Sequence, residues 1–84
     1  MYFLPHIHPC DRKLHRDFAD HISRAFASVS FADTDALTKS VKRLAELSKL
    51  KDVGFSGSGK AITVHIKGLP VASFFQVKTP TANA

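Results

Sequence analysis

The sequence has no tryptophan and a single cysteine. Because Cys10 has no partner within the chain, an internal disulfide framework is excluded and the fold does not depend on oxidation. No apolar run approaches the roughly 20 residues of a membrane-spanning helix. Residues 1–5 lack the basic leader and the long apolar stretch of a signal peptide. We therefore expect a cytoplasmic protein.

Acidic residues are also few, since 12 Lys and Arg stand against 7 Asp and Glu and give a formal net charge of +5. A basic balance favours phosphates or acidic proteins as partners and says nothing about fold. Hydrophobic residues make up 44% of 84 residues, enough for the core of one domain. We predict a single domain over residues 1–78 and a flexible tail over residues 79–84, where no apolar pattern continues.

Hydrophobic residues recur every three or four positions in two segments, which predicts two amphipathic helices. The first covers residues 11 to about 29, and Asp11 stands where a carboxylate can cap it. The second begins at Asp33 or Thr34 and ends near residue 50. A short link makes the two helices antiparallel neighbours. The apolar stripe of the first helix comprises Leu14, Phe18, Ile22, Ala25, Phe26 and Val29.

After residue 50 the pattern becomes alternating, which predicts strands. We expect a short first strand over residues 1–4 and a three-stranded antiparallel meander over 53–55, 60–67 and 71–77. The two helices pack on one face of the sheet, so the predicted fold class is α+β.

The register of the meander follows from a loop over residues 67–70, which pairs Val64 with Ser73, while the first turn pairs Val53 with Ile62. The face toward the helices then holds Val53, Phe55, Ile62, Val64, Ile66, Val71, Phe75 and Val77. The opposite face holds Thr63, His65, Lys67, Phe74, Gln76 and Lys78.

Residues 54–60, GFSGSGK, match the spacing of a phosphate-binding P-loop. A P-loop continues with Ser or Thr and then a helix, whereas Ala61 and a strand pattern follow here. We interpret the segment as a hairpin turn.

His6, His8 and Cys10 alternate, so a straight strand would place them on one face, with His15 close by. Imidazole and thiolate ligands suit zinc or copper. Pro9 opposes straight geometry, and the sequence has no second ligand cluster. We predict no tightly held metal and no cofactor.

Two surfaces are candidates for binding nucleic acid. A basic outer face of the second helix could follow a phosphate backbone, although a solvated face is the simpler interpretation. An aromatic ring with cations on the open sheet face could stack and hold a single strand. The residues are Lys39, Lys42, Arg43 and Lys49 on the helix, and His65, Lys67, Phe74 and Lys78 on the sheet. The sheet face could instead bind a protein or a second copy, or be covered by the first strand.

A strand, two helices and a three-stranded meander on a short basic chain resemble, in outline, the RelE-type ribosome-dependent ribonuclease toxins. The resemblance covers most of the chain, is topological, and implies ribonuclease activity. Those toxins typically carry Arg, Tyr or His near the last strands, and residues 71–77 have none. No nucleophile–base pair or carboxylate pair can be placed, so we expect a non-enzymatic protein.

Two functions from different classes therefore stay open. One is a regulatory protein that contacts nucleic acid through basic helix and sheet surfaces. The other is an inhibitor or adaptor that docks on a protein through its sheet face or edge strand.

Overall fold

The computed structural model describes residues 1–58 and 60–78. In these residues the chain forms, in order, β1 (Tyr2–Ile7), α1 (Lys13–Phe26), α2 (Thr34–Leu47), β2 (Val53–Ser58), β3 (Ala61–Ile66) and β4 (Leu69–Val77). The order of elements confirms the predicted α+β class. The predicted flexible tail, residues 79–84, lies outside the described residues. None of the helices just named is long and apolar enough to cross a membrane.

The described strands form one antiparallel sheet in the order β1-β4-β3-β2. β1 joins the sheet beside β4, so it extends the sheet and does not cover its open face. Pro5 lies within β1. An edge strand tolerates proline because one side of the strand has no neighbour that needs its N–H group.

α1 begins later than predicted, at Lys13, and Asp11 is exposed. No side chain in the described part of the chain caps its first turn. The buried face is also rotated from the predicted stripe, because Leu14 is 59% exposed and Val29 lies beyond the end of the helix. The buried residues of α1 are His15, Phe18, Ala19, Ile22 and Ser23.

α2 agrees better with its sequence pattern. The Asp33 carboxylate accepts a hydrogen bond from the backbone N–H of Ala36 at 2.8 Å, so Asp33, and not Thr34, is the N-cap of the two candidates. Leu37 and Val41 are fully buried, as their spacing predicts. The helix ends at Leu47, a few residues before the predicted end.

The turn between β3 and β4 is tighter than predicted. Lys67 (φ 53°) and Gly68 (φ 79°) form a two-residue loop with both φ angles positive, as in the type I′ turns that join antiparallel strands. β4 therefore begins at Leu69. Pro70 cannot donate to the ladder, and a β-bulge follows at which, among the described pairs, Val71 has no partner on β3.

The bulge shifts every later pair by one position. Val64 lies opposite Ala72, so the predicted pairing with Ser73 is wrong. Side chains alternate between faces, and a shift of one residue therefore exchanges the two faces of a strand. Phe74 is fully buried against the helices, and Phe75 is 43% exposed on the open face. Both placements reverse the prediction.

The first turn of the meander also differs in register, because Val53 lies opposite Ile66 and not Ile62. Most of the P-loop-like segment 54–60, predicted as a turn, is strand, because β2 extends to Ser58; Gly59 lies outside the described residues. A strand follows it, as the hairpin interpretation requires, whereas a P-loop requires a helix.

The core lies between the helices and one face of the sheet. Phe3 of β1 is fully buried, and its ring packs edge-on against Phe31 at a centroid distance of 6.1 Å. Burying one such side chain stabilises the fold by roughly 1.5–3 kcal/mol. The largest fully buried side chains are Phe3, Phe74, Ile22, Leu37, Ile66, Val41, Val64 and Val71.

Candidate functional site

The molecule presents two sides. On the helix side lie the outer face of α2 and a cleft where α1 begins, α2 ends and β3 turns into β4. On the sheet side lies the open face. Because both helices pack on one face of the sheet, the open face and the outer face of α2 point in opposite directions. A single ligand contacts both only if it wraps around an edge.

The cleft, which we call the end cleft, has a volume of about 370 Å³. Three segments that are distant in the sequence meet around it. Among the described residues that line it, four are cations and one is a carboxylate. The lining residues are Arg12, Leu14, His15, Lys49, Leu50, Lys51, Asp52, Ile66 and Lys67.

His15 lines the end cleft and is buried, with 4% of its surface exposed. Burial lowers its pKa below the ordinary value of 6.5, and the positive charges of Arg12 and Lys67 lower that pKa further. The neutral form of the imidazole therefore predominates at pH 7. Its Nδ1 atom has no hydrogen-bond partner among the described residues. A buried polar atom without a partner costs about 1–3 kcal/mol.

The first turn of α1 borders the same cleft, since Arg12 precedes the helix and His15 lies in that turn. The first N–H groups of a helix have no partner within the helix. The first turn of α1 contains no acidic residue that would balance the positive end of the helix dipole. This end of α1 therefore adds positive potential to that of the surrounding cations.

The backbone around the end cleft is held in an unusual conformation. Lys49 (φ 60°), Asp52 (φ 59°) and Lys67 (φ 53°) are the non-glycine residues with positive φ in the described ranges, and all of them line the cleft. Such a conformation costs roughly 1–3 kcal/mol per residue and persists where surrounding contacts fix it. Here the N–H of Lys67 donates to the carbonyl of Asp52 at 3.0 Å, which ties the β3–β4 turn to the loop before β2.

The outer face of α2 brings together three of the predicted binding residues. Lys39, Lys42 and Arg43 are exposed and line a shallow depression with Glu46 and Leu47. Lys39 lies 3.7 Å from the Asp35 carboxylate, in an exposed pair that contributes little to stability. The fourth predicted residue on this helix, Lys49, lies beyond its end and joins Lys67 in the end cleft.

Hydroxyl and imidazole groups meet on the open sheet face. The Ser73 hydroxyl lies 2.7 Å from His8 Nε2 and 2.9 Å from Thr63 Oγ1. The Ser56 hydroxyl lies 2.6 Å from Nε2 of His65, which occupies the open face as predicted. Ser73 is only 4% exposed, so its hydroxyl connects strands and is not accessible as a nucleophile.

The other half of the open face is apolar. Leu4 of β1 lies directly opposite Phe75 of β4, and each exposes more than two fifths of its surface. Phe75, opposite Ala61, thus occupies the face predicted for Phe74, which lies in the core. Lys78 is exposed and lines a small depression with Lys60, away from His65.

The structure separates the candidate metal ligands. The rings of His6 and His8 are perpendicular, with centroids 5.3 Å apart, and His8 is hydrogen-bonded to Ser73. Cys10 Sγ lies near the carbonyl of Arg12, and His15 lies in the end cleft. Within the described residues, no three His, Cys, Asp or Glu side chains come together as a metal site. The expected absence of metal stays a prediction.

No protein-family model, curated protein or solved structure matches this chain. Arg12 and Lys51 line the end cleft but are not among the binding residues predicted from the sequence. The signal for Arg12 is a cation directly before a helix whose first turn has no carboxylate. For Lys51 the signal is weaker, since it is one of several lysines around the end of α2.

Proposed function

We propose that the protein binds nucleic acid through its helix side, with the phosphate backbone along the outer face of α2 and toward the end cleft. The observation that carries the proposal is the charge of these two depressions. Among the described residues, seven cations and two carboxylates line them. The cations are Lys39, Lys42 and Arg43 on α2, and Arg12, Lys49, Lys51 and Lys67 at its end.

The second group includes Lys49 and Lys51, which follow the end of the helix that carries the first group. At about 1.5 Å per residue, α2 from Lys39 to Leu47 covers roughly 12 Å, and Lys49 follows directly. Phosphates are spaced about 3.4 Å apart along the axis on one strand of a duplex, so this length matches a short stretch of backbone. Each phosphate that a cation neutralises releases counterions, and binding of this kind is independent of base sequence.

The sheet side does not contribute to this mode of binding. Phe75 and His65 lie on the open face, which points away from α2. A backbone held on α2 therefore has no aromatic ring on which its bases stack. We expect single strands and duplexes to bind alike, unlike proteins that hold single strands on aromatic platforms.

The test removes two cations from the centre of the α2 face. In the double variant Lys42→Gln/Arg43→Gln, affinity should fall for all sequences and the salt slope of binding should decrease by about two. Labelled 20-nucleotide single strands and duplexes, titrated at two salt concentrations, measure both quantities.

The matched control is Lys13→Gln/Arg24→Gln on α1. It removes the same charge from exposed positions that pair with Asp17 and Asp20 and line neither depression. Its affinity and salt slope should stay close to wild type. An equal loss in both variants would mean that net charge alone drives binding, and no binding at low salt would refute the proposal.

A second candidate is an inhibitor or adaptor that docks a protein on the open sheet face. Leu4 and Phe75 are exposed neighbours on this face. They favour the inhibitor or adaptor, because paired apolar side chains on an uncovered sheet suit a protein interface. Leu4→Ser/Phe75→Ser should leave nucleic-acid affinity unchanged on the first proposal and abolish a salt-insensitive protein complex on the second. The ribonuclease activity implied by the RelE-type resemblance has no candidate catalytic residue on β4, because this strand contains no Arg, Tyr or His.

A further inference from the structure

The end cleft differs from the α2 face in the groups that it brings together. The α2 face offers flexible exposed side chains, which hold a backbone loosely. The end cleft combines cations with the first turn of α1 and with the buried imidazole of His15. Unpaired N–H groups at the start of a helix and its positive dipole end form a site for phosphate or sulfate-like anions.

The charges of the cleft favour an anion with more than one negative charge. Arg12, Lys49, Lys51 and Lys67 outweigh Asp52, and the neutral imidazole of His15 adds no charge. A phosphodiester within a strand has one negative charge. A terminal phosphomonoester has about 1.5 to 2 negative charges at pH 7, because its second pKa is near 6. The monoester therefore offsets more of the repulsion among these cations.

His15 supplies a hydrogen-bond donor that binding of the nucleic acid backbone along α2 does not require. Its Nδ1 atom is buried in the wall of the cleft without a partner among the described residues. Because Nδ1 is closed to solvent, a phosphate oxygen reaches it only when the ring turns toward the cleft. With the proton on Nδ1, the ring then donates a hydrogen bond to that oxygen. The lysines also hold the phosphate as point charges. A ligand oxygen thus satisfies an atom that the fold leaves unsatisfied.

The size of the cleft selects the end of a strand. A volume of about 370 Å³ is near the lower limit of ligand sites, which run from roughly 300 to 1,000 Å³. One phosphate with part of its nucleoside fits this space, whereas a duplex does not. A strand that lies along α2 reaches the cleft beyond Lys49, where α2 has ended.

We propose that the end cleft is a binding site for a phosphomonoester, with α1 N–H groups, Lys51, Lys67 and His15 around the phosphate. We identify this phosphomonoester as the terminal phosphate of a nucleic acid strand, and this identification rests on the proposed function. The phosphate chemistry of the cleft is the same for a free mononucleotide, and the experiment distinguishes the two sources.

The first measurement compares one 20-nucleotide strand with a 5′-phosphate or a 5′-hydroxyl end, alongside adenosine 5′-monophosphate and inorganic phosphate. The phosphorylated strand should bind about tenfold more tightly than the hydroxyl strand. If adenosine 5′-monophosphate alone binds as tightly as the phosphorylated strand, the phosphate site stands with a mononucleotide as its ligand. If the terminal phosphate gives no gain and neither small phosphate binds, the proposal is overturned. The hydroxyl strand still reports on the α2 face, so the two proposals fail separately.

The second measurement localises the site. Lys51→Gln/Lys67→Gln should abolish the tenfold preference for the phosphorylated end, since both exposed side chains line the cleft. Lys13→Gln is the matched control, because Lys13 is next to Arg12 in sequence but pairs with Asp17 outside the cleft. The control should keep the preference. Loss of the preference in the control as well would overturn the assignment of the cleft.

The third measurement needs no substitution of a buried residue. NMR follows the His15 ring through a pH titration with and without adenosine 5′-monophosphate. The bound dianion should raise the pKa of His15, because it opposes the charges of Arg12 and Lys67, which lower that pKa. Lys49, Lys51 and Asp52 are the other charged residues that line the cleft. The exposed ring of His21 serves as the reference and should not shift. An unchanged His15 pKa at saturating nucleotide would overturn the proposal.

Discussion

Phe74 and Phe75 are neighbours in the chain and lie on opposite faces of the sheet. The Phe74 ring is fully buried beneath the helices, whereas Phe75 remains partly exposed opposite Leu4. A β-bulge near Pro70 sets this arrangement, because it shifts the pairing of β4 with β3 by one residue. Two identical side chains thus have different roles, one in the core and one on the surface.

We predict that Phe74→Ala destabilises the protein and that Phe75→Ala does not. Removal of a buried Phe ring typically costs about 3–5 kcal/mol, because apolar contacts are lost and a cavity remains. A substitution on the partly exposed face should change the free energy of unfolding by roughly 1 kcal/mol or less. Urea denaturation of both variants measures this difference. Equal losses for the two variants would contradict the register described above.

We predict that stability falls as the pH drops below 6.5, in part through His15. Burial and nearby cations lower its pKa in the folded protein, so the unfolded chain binds the proton more readily. The contribution is fully present above the ordinary pKa of 6.5 and is lost progressively as the pH falls toward the lowered value. Unfolding free energies measured by urea between pH 5 and 8 should therefore rise with pH.

The same series on His15→Gln isolates this contribution. The variant should lose part of the pH dependence between pH 5 and 6.5. His21→Gln, at an exposed position on the same helix, is the control and should keep the wild-type dependence. A steeper dependence in His15→Gln than in wild type would mean that the sign argued here is wrong.

We predict that protein purified without a histidine tag contains no stoichiometric zinc or copper. The rings of His6 and His8 meet edge-on, and His8 Nε2 is hydrogen-bonded to Ser73, so binding of a metal at that nitrogen would break this hydrogen bond. Elemental analysis measures the metal content. One equivalent of zinc or copper, lost in His6→Ala/His8→Ala, would refute the prediction.

The sequence predicts those parts of the fold in which pattern and burial coincide. Val64 alternates with polar neighbours and lies in the core, and Asp33 caps α2 as its position indicates. The error in β4 has a local cause. Type I′ turns favour Asn-Gly or Asp-Gly, so Lys67 and Gly68 are a weak signal for a two-residue turn. Without that turn, the bulge cannot be placed.

The rotation of α1 has a different cause. Hydrophobicity selects Leu14 for the buried stripe, whereas the fold buries the polar residues His15 and Ser23 in its place. A polar group is an improbable core residue on composition alone, because its burial without a partner is unfavourable. The rotation of α1 that makes the predicted buried stripe wrong also brings His15 to the end cleft.

The candidate site was predictable only in part. The spacing of Lys39, Lys42 and Arg43 along a helix is sufficient to place them on one face. The sequence pattern assigns Lys49 to α2 and Lys67 to the sheet, yet both line the end cleft. Their meeting depends on left-handed backbone conformations that these residue types rarely adopt, and no periodic pattern encodes such a conformation.

The pairing of β1 with β4 has a consequence for synthesis. The hydrogen bond between His8 and Ser73 joins residues 65 positions apart, and the paired residues of β1 and β4 are 65 to 75 positions apart. At roughly 5–20 residues per second, a ribosome adds β4 several seconds after β1. During that interval Phe3 has no sheet in which to be buried. The nascent chain therefore exposes Phe3 to chaperones or other nascent chains until β4 has left the ribosome and pairs with β1.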